Sequence, residues 1–308
     1  MNYKPEGCLY RTAENQKYIS TPEGLAEAME KGVILEARAC VCTGEHDLII
    51  DLPCAKGIIK REEGAVGIAE GKTRDIAIIS RVNKTVCFKV MKLSSDGDGR
   101  LTAYLSRRAA QEECAGNYIN ILSAGDVIDA RITHLEQFGA FVDIGCGLPS
   151  LIPIDAISVS RISHPSDRFT TGQFIKAVVT SNENSRICLT HKELLGTWEE
   201  NISLFHTGET VSGIVRSVED YGVFVELAPN LAGLAELKED VHAGLGVSVY
   251  IKAIIPEKMK IKLIIVDTCP DFEPNREFEY YFTENHMDRW IYTPESSDKL
   301  IETNFVNS

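Results

Sequence analysis

Apolar and polar positions alternate with a period of two through the middle of the chain. Ile128, Ala130 and Ile132 alternate with Asp129, Arg131 and Thr133, which predicts a half-buried β-strand. FGAFVDI (138–144), SLIPI (150–154), FIKAVVT (174–180) and RICLT (186–190) follow. A Gly-rich turn, a longer loop containing HPSD and the polar turn NENS (182–185) separate them. No helical run is long enough to cross between parallel strands of an open sheet. Five short strands in this order predict a small closed barrel of the OB type.

The pattern recurs 83 residues later without a gap. GDVIDARITHLEQFGAFVDIGCGLPSLIPI begins at Gly125, and GETVSGIVRSVEDYGVFVELAPNLAGLAEL begins at Gly208. Seven of these thirty positions are identical, among them Gly139/Gly222, Phe141/Phe224, Val142/Val225 and Leu151/Leu234. VSVYIKAII and KIKLIIV complete the later unit. A more divergent unit comes first, with GVILEARACVC from Gly32, DLIID, AKGIIKREE, TVCFKVMKL and RLTAYLS. Its interval between GIIKREE and TVCFKV is long, which predicts an extra strand or hairpin there. Counting from Gly32 puts Glu45 and Leu48 where the later units carry two aromatic residues, so this unit lacks the pair.

Helices are predicted between these units. Thr21-Pro22-Glu23 supplies a capping hydroxyl, a proline for the first turn and an early carboxylate, and Gly32 ends that helix. SRRAAQEECAGNYINIL and HKELLGTWEENISLF are the two linkers. The expected fold is therefore all-β with short linking helices, as three tandem five-stranded OB barrels. A helix plus the divergent barrel occupies 1–108 and a linker helix 109–124. The second barrel covers 125–190, a second linker helix 191–207 and the third barrel 208–267. An acidic, aromatic tail covers 268–308, with a hairpin pairing 277–282 with 289–292.

Charge refines this picture. The chain has 308 residues and a net charge of −13, which argues against a protein that simply coats nucleic acid. Residues 1–124 are neutral, however, and the tail from 268 carries nine acidic against three basic groups. Nine cysteines with no C-x-x-C spacing argue against both a zinc ribbon and a disulfide framework. EGKT (70–73) lacks the leading glycine of a phosphate loop, since Val66 stands there. No catalytic constellation, metal site or cofactor motif emerges, and no membrane partner is expected. The start of the chain has no signal pattern, so a cytoplasmic location is expected.

The informative chemistry lies in FGAF (138–141) and YGVF (221–224). A glycine between two rings permits a bulge that turns both to one side, so Phe138 with Phe141 and Tyr221 with Phe224 form candidate stacking platforms. Arg131, His134 and Arg186 are candidate phosphate contacts in the second barrel, and Arg216, Lys260 and Lys262 in the third.

The succession of glycine, alternating strand, FGAFVDIG, apolar strand and RICL resembles the RNA-binding repeat of the bacterial small-subunit ribosomal protein S-one family. The whole is similar to that family's compact three-repeat form from anaerobic Gram-positive bacteria. The resemblance implies a non-enzymatic protein that binds single-stranded RNA, with mRNA and the small ribosomal subunit as partners. It assigns the RNA face to the two aromatics of each F-G-x-F strand and to an arginine opening the fifth strand, Arg186, replaced by Lys260 in the third barrel. The family's histidine at the end of the third strand is replaced by Lys60, Pro153 and Glu236, and an aspartate before the arginine by Asn182. The alternatives are a protein-interaction scaffold, favoured by the acidic total, and an accessory factor of RNA degradation or transcription acting off the ribosome.

Overall fold

A computed structural model describes residues 3–95, 99–183, 186–269, 272 and 277–306. Asn184 and Ser185 of the NENS turn lie outside the described residues, as do 270, 271 and 273–276 in the tail. The chain divides into two compact units. One comprises residues 1–122 with 129–131 and 143–149, and the other comprises the remainder.

Fifteen strands close into three five-stranded barrels. β1 (Leu35–Cys42), β2 (Leu48–Leu52), β3 (Ala55–Ile59), β4 (Thr85–Ser95) and β5 (Leu101–Ser106) form the first. β6 (Val127–Glu136), β7 (Gly139–Asp143), β8 (Pro149–Pro153), β9 (Phe174–Glu183) and β10 (Arg186–Thr190) form the second. β11 (Thr210–Glu219), β12 (Gly222–Ala228), β13 (Leu231–Ala235), β14 (Gly246–Ile255) and β15 (Lys260–Thr268) form the third. In every barrel the fifth strand lies between the third and fourth and runs parallel to the third. The cause is the predicted alternation: Val223, Val225, Ile261, Leu263 and Ile265 point inward and are buried, while Lys260, Lys262 and Ile264 between them are exposed.

Helices α1 (Ala13–Ile19) and α2 (Pro22–Lys31) precede the first barrel. Thr21 caps α2 by accepting from the Gly24 N–H, and Gly32 ends it at φ 63°, a left-handed position that glycine takes without strain. The long interval in the first barrel holds no strand among its described residues. It contains only a 3₁₀ turn at Arg61–Glu63 and the short α3 (Ile76–Ile79). The expected extra hairpin is replaced by backbone that closes on itself through local turns. α4 (Arg107–Asn117) follows the first barrel, and a 3₁₀ turn with α5 (Trp198–Ile202) follows the second.

The tail also departs from expectation. β16 (Arg289–Ile291) pairs antiparallel with β17 (Glu302–Asn304), not with 277–282. Met287, Trp290, Tyr292 and Phe305 from this segment are buried with Val178, Leu194 and Trp198 in the core cluster of the third barrel. That apolar anchor explains why an acidic segment folds onto the second unit. Among the described residues, no helix is long and apolar enough to cross a membrane.

Candidate nucleic-acid interface

The two F-G-x-F motifs produce the same local geometry by a route other than the expected bulge. In the third barrel the pairing is continuous through the glycine: Glu219 faces Gly222, Val218 faces Val223 and Ser217 faces Phe224. Tyr221 lies outside the strand, in the two-residue turn of the hairpin, where strand alternation does not apply. The turn swings its ring to the side from which Phe224 projects. The irregularity in β11 falls at Arg216, between Val215 and Ser217. The glycine has a different task. A β-carbon at Gly222 would lie 2.6 Å from the Ala235 carbonyl oxygen, and one at Gly139 would lie 2.5 Å from that of Ile152. Close approach of the neighbouring strand excludes any side chain there.

The resulting ring pairs match. Phe138 and Phe141 have centroids 5.8 Å apart at 87°, and Tyr221 and Phe224 lie 6.1 Å apart at 89°. Phe138 is 56% exposed and Tyr221 70%, while Phe141 and Phe224 are half-buried at the base of each pair. Edge-to-face packing holds each exposed ring upright while leaving ring surface open to a base. His134 lies 6.4 Å from Phe141, inclined by 27°, and its Nε2 sits 2.6 Å from a Glu136 carboxylate oxygen.

Strand register extends the platform sideways. Phe224 faces Leu234, and Leu234 faces Lys262, so ring, alkyl chain and ammonium stand in one row across β12, β13 and β15. Lys260 is exposed on the same face of β15. In the second barrel, Leu151 faces Cys188, and exposed Arg186 stands two residues earlier on the same face of β10. Leu234 and Leu151 were not singled out from sequence, although their identity across the repeat marked them.

Two candidate cations are used otherwise. Arg216 is almost wholly buried. Its Nε and Nη2 each donate to a Glu226 carboxylate oxygen at 2.9 Å, and Nη1 lies 3.5 Å from Asp167. Arg168 binds the same Glu226. This is an internal charge network, so Arg216 does not face a ligand. Arg131 lies in the first unit, where its guanidinium donates to the Glu6 carbonyl at 2.8 Å. Asp143, two residues beyond Phe141 on β7, is buried and accepts from the N–H groups of Glu6, Gly145 and Gly147. Burial raises its pKa to about 6.

The first barrel has the scaffold without the rings. Val41 faces Ile49 and Ala39 faces Ile50 across a bulge, as Ser217 faces Phe224 and Val215 faces Val225. Ile49 thus occupies the position of Phe224, one residue beyond the predicted Leu48, which is buried in the barrel. The row continues through Ile58 to Tyr104 and contains no cation. Exposed Lys92 faces Tyr104 from β4, while Lys60 pairs with Asp47 at 2.7 Å and Arg61 with Asp75 at 2.7 Å.

The chain is similar in sequence to known proteins. Residues 122–192, which contain the second barrel, match the model of the S1 RNA binding domain family. The small ribosomal subunit protein bS1 of Staphylococcus aureus is 32% identical over 279 residues, covering 85% of this chain and 68% of that protein. The chain belongs to the bS1 family. The Staphylococcus haemolyticus bS1 protein is 32% identical over 266 residues, 80% of this chain and 65% of its own. A Streptococcus pneumoniae multidomain protein with nucleic acid binding domains is 14% identical over 82% of this chain and 76% of its own, with a TM-score of 0.24.

Proposed function

We propose that this bS1-family protein binds single-stranded RNA through the ring pairs of its second and third barrels and serves translation at the small ribosomal subunit. The observation that carries the reading is the recurrence of one perpendicular, outward ring pair on two barrels, each bordered by strand-five cations. Phe138, Phe141, Tyr221 and Phe224 stack bases, and Arg186, Lys260 and Lys262 meet phosphates. His134 borders the second platform. Stacking accepts any base, so sequence preference is slight. The protein acts in the cytoplasm by binding alone, without catalysis. Two sites on one chain raise the effective concentration of each for a strand held by the other.

The first barrel's apolar row suits a protein partner, and we assign it to docking on the small subunit. Exposed Val41 and Met91 on this barrel support that assignment.

Fluorescence anisotropy with an unstructured oligonucleotide tests the RNA reading. Phe141→Ala and Phe224→Ala are each expected to cost about 1–3 kcal/mol of binding at unchanged folding stability. Unchanged affinity in the double variant removes the stacking platform from the account. Co-sedimentation with small subunits at several salt concentrations separates a ribosomal role from one in RNA degradation or transcription.

A further inference from the structure

One place is equivalent in all three barrels, where the fourth and fifth strands pair just past a register shift. It is occupied by Lys89 and Ser106 in the first, Val178 and Thr190 in the second, and Tyr250 and Ile264 in the third. In the first two barrels the chain folds back over this place. Ser106 is buried and caps α4, while Lys89 pairs with Glu113 of that helix. Thr190 and Val178 are buried, and the Thr190 hydroxyl is held by the Ala156 carbonyl and the Glu193 carboxylate. In the third barrel β15 continues as strand to Thr268 and nothing described covers the pair. Tyr250 is 37% exposed and Ile264 40%.

This uncovered place is continuous with the third barrel's ring pair. From Phe224 the row passes through Leu234 to Lys262, and one outward step along β15 leads to Ile264, which faces Tyr250. Tyr250 thus stands three strands from Phe224, roughly 14 Å around the sheet at about 4.8 Å per strand. That span fits a barrel footprint of about four or more nucleotides. Lys252 is exposed on β14, with its Nζ 3.9 Å from the Glu236 carboxylate.

We propose that Tyr250 is a second stacking site on the third barrel, taking a further base of the strand held by Tyr221 and Phe224. Ile264 and Leu234 floor the path, and Lys262 meets the phosphates between the two sites. The inference rests on the reading of the Phe224 pair as a stacking platform. A ring reached through a lysine and apolar floor suits the alternating bases and phosphates of a single strand, which favours RNA over a protein as the occupant.

The test uses the full chain with Phe138→Ala and Phe141→Ala, so that the third barrel dominates binding, and a labelled oligouridylate. Tyr250→Ala is expected to weaken affinity about fivefold or more. Tyr250→Phe, which keeps the ring, should restore it, and the thermal midpoint should not move. Separately, photo-cross-linking of 5-iodouridine RNA to the unsubstituted protein should label the peptide carrying Tyr250. If Phe224→Ala weakens binding while Tyr250→Ala does not, the second site is refuted and the first platform stands. If neither does, the platform itself fails. Cross-links at Phe224 without any at Tyr250 likewise refute the site. Loss of small-subunit co-sedimentation in Tyr250→Ala at unchanged RNA affinity would assign this face to a protein and overturn the proposal.

Discussion

The first and third barrels share strand order and inward packing, yet differ along the outward row that crosses their second, third and fifth strands. Where the third presents Phe224, Leu234 and Lys262 in a row, the first presents Ile49, Ile58 and Tyr104. Inward residues close the barrel in both cases, through Leu48 and Ile50 in one and Val223 and Val225 in the other. Those residues fix the fold, and the outward row is free to change the ligand. The second barrel varies the theme: Cys188 takes the place of Lys262, and Arg186 supplies the cation two residues earlier.

The sharpest way to break this comparison is to exchange effects between equivalent positions. Together, Phe141→Ala and Phe224→Ala are expected to weaken binding of an RNA long enough to reach both barrels by about 2–6 kcal/mol, if the sites add. Ile49→Ala should leave RNA affinity unchanged in the same anisotropy assay. An equal loss from Ile49→Ala would mean that all three barrels bind RNA alike.

Next in size is the buried network at Glu226. Arg216→Ala removes a bidentate partner and leaves the carboxylate to Arg168, so a loss of about 3 kcal/mol in the stability of the second unit is expected. Chemical denaturation measures it. The salt dependence of RNA binding should not change, because Arg216 is not exposed to the strand.

Arg216 also marks the limit of what sequence patterns report. Period-two alternation and the 83-residue repeat made the barrels, their order and the outward rings legible, because burial of alternate residues is what closes a barrel. Alternation says which face a side chain leaves from, not what it meets. Glu226 lies ten residues beyond Arg216 across a hairpin, and Asp167 comes from another barrel's loop. The one-residue error in the first barrel has a related origin. Its hairpin spans Thr43–Asp47, whereas the third barrel turns in two residues, so counting from Gly32 misses Ile49. Tyr250 lies in a clear strand, but its exposure depends on whether the chain folds back over it, and among the described residues none does in the third barrel.

The residues that follow strand five offer a smaller contrast. Ser106-Arg107 and Thr190-His191 are equivalent and buried, but Arg107 is paired with Glu6, whereas His191 lies among the rings of Phe169, Phe278 and Tyr280. Burial lowers the His191 pKa from 6.5 to about 4. The unfolded chain therefore takes up the proton first, and this contribution to stability is lost as pH falls from 6.5 toward 4. Urea unfolding should show the second unit weakening over that range by on the order of 3 kcal/mol. His191→Gln should flatten the slope, and an unchanged slope would place the acid sensitivity elsewhere.

The smallest effect distinguishes cations aimed at a strand from cations paired at home. For a single-stranded ligand, each phosphate neutralised contributes about 0.7 to the slope of log affinity against log salt. Lys260→Ala and Lys262→Ala should each reduce that slope by about 0.7, as should Arg186→Ala. Lys60→Ala and Arg61→Ala should leave it unchanged, since Asp47 and Asp75 already hold those groups in the first barrel. The affinity change in any one variant is largest at low salt and shrinks as salt rises, so the slope read across a titration separates the two sets. A reduced slope in Lys60→Ala would bring the first barrel into the RNA path despite its missing rings, and would move the functional boundary from the aromatic pair to the charge around it.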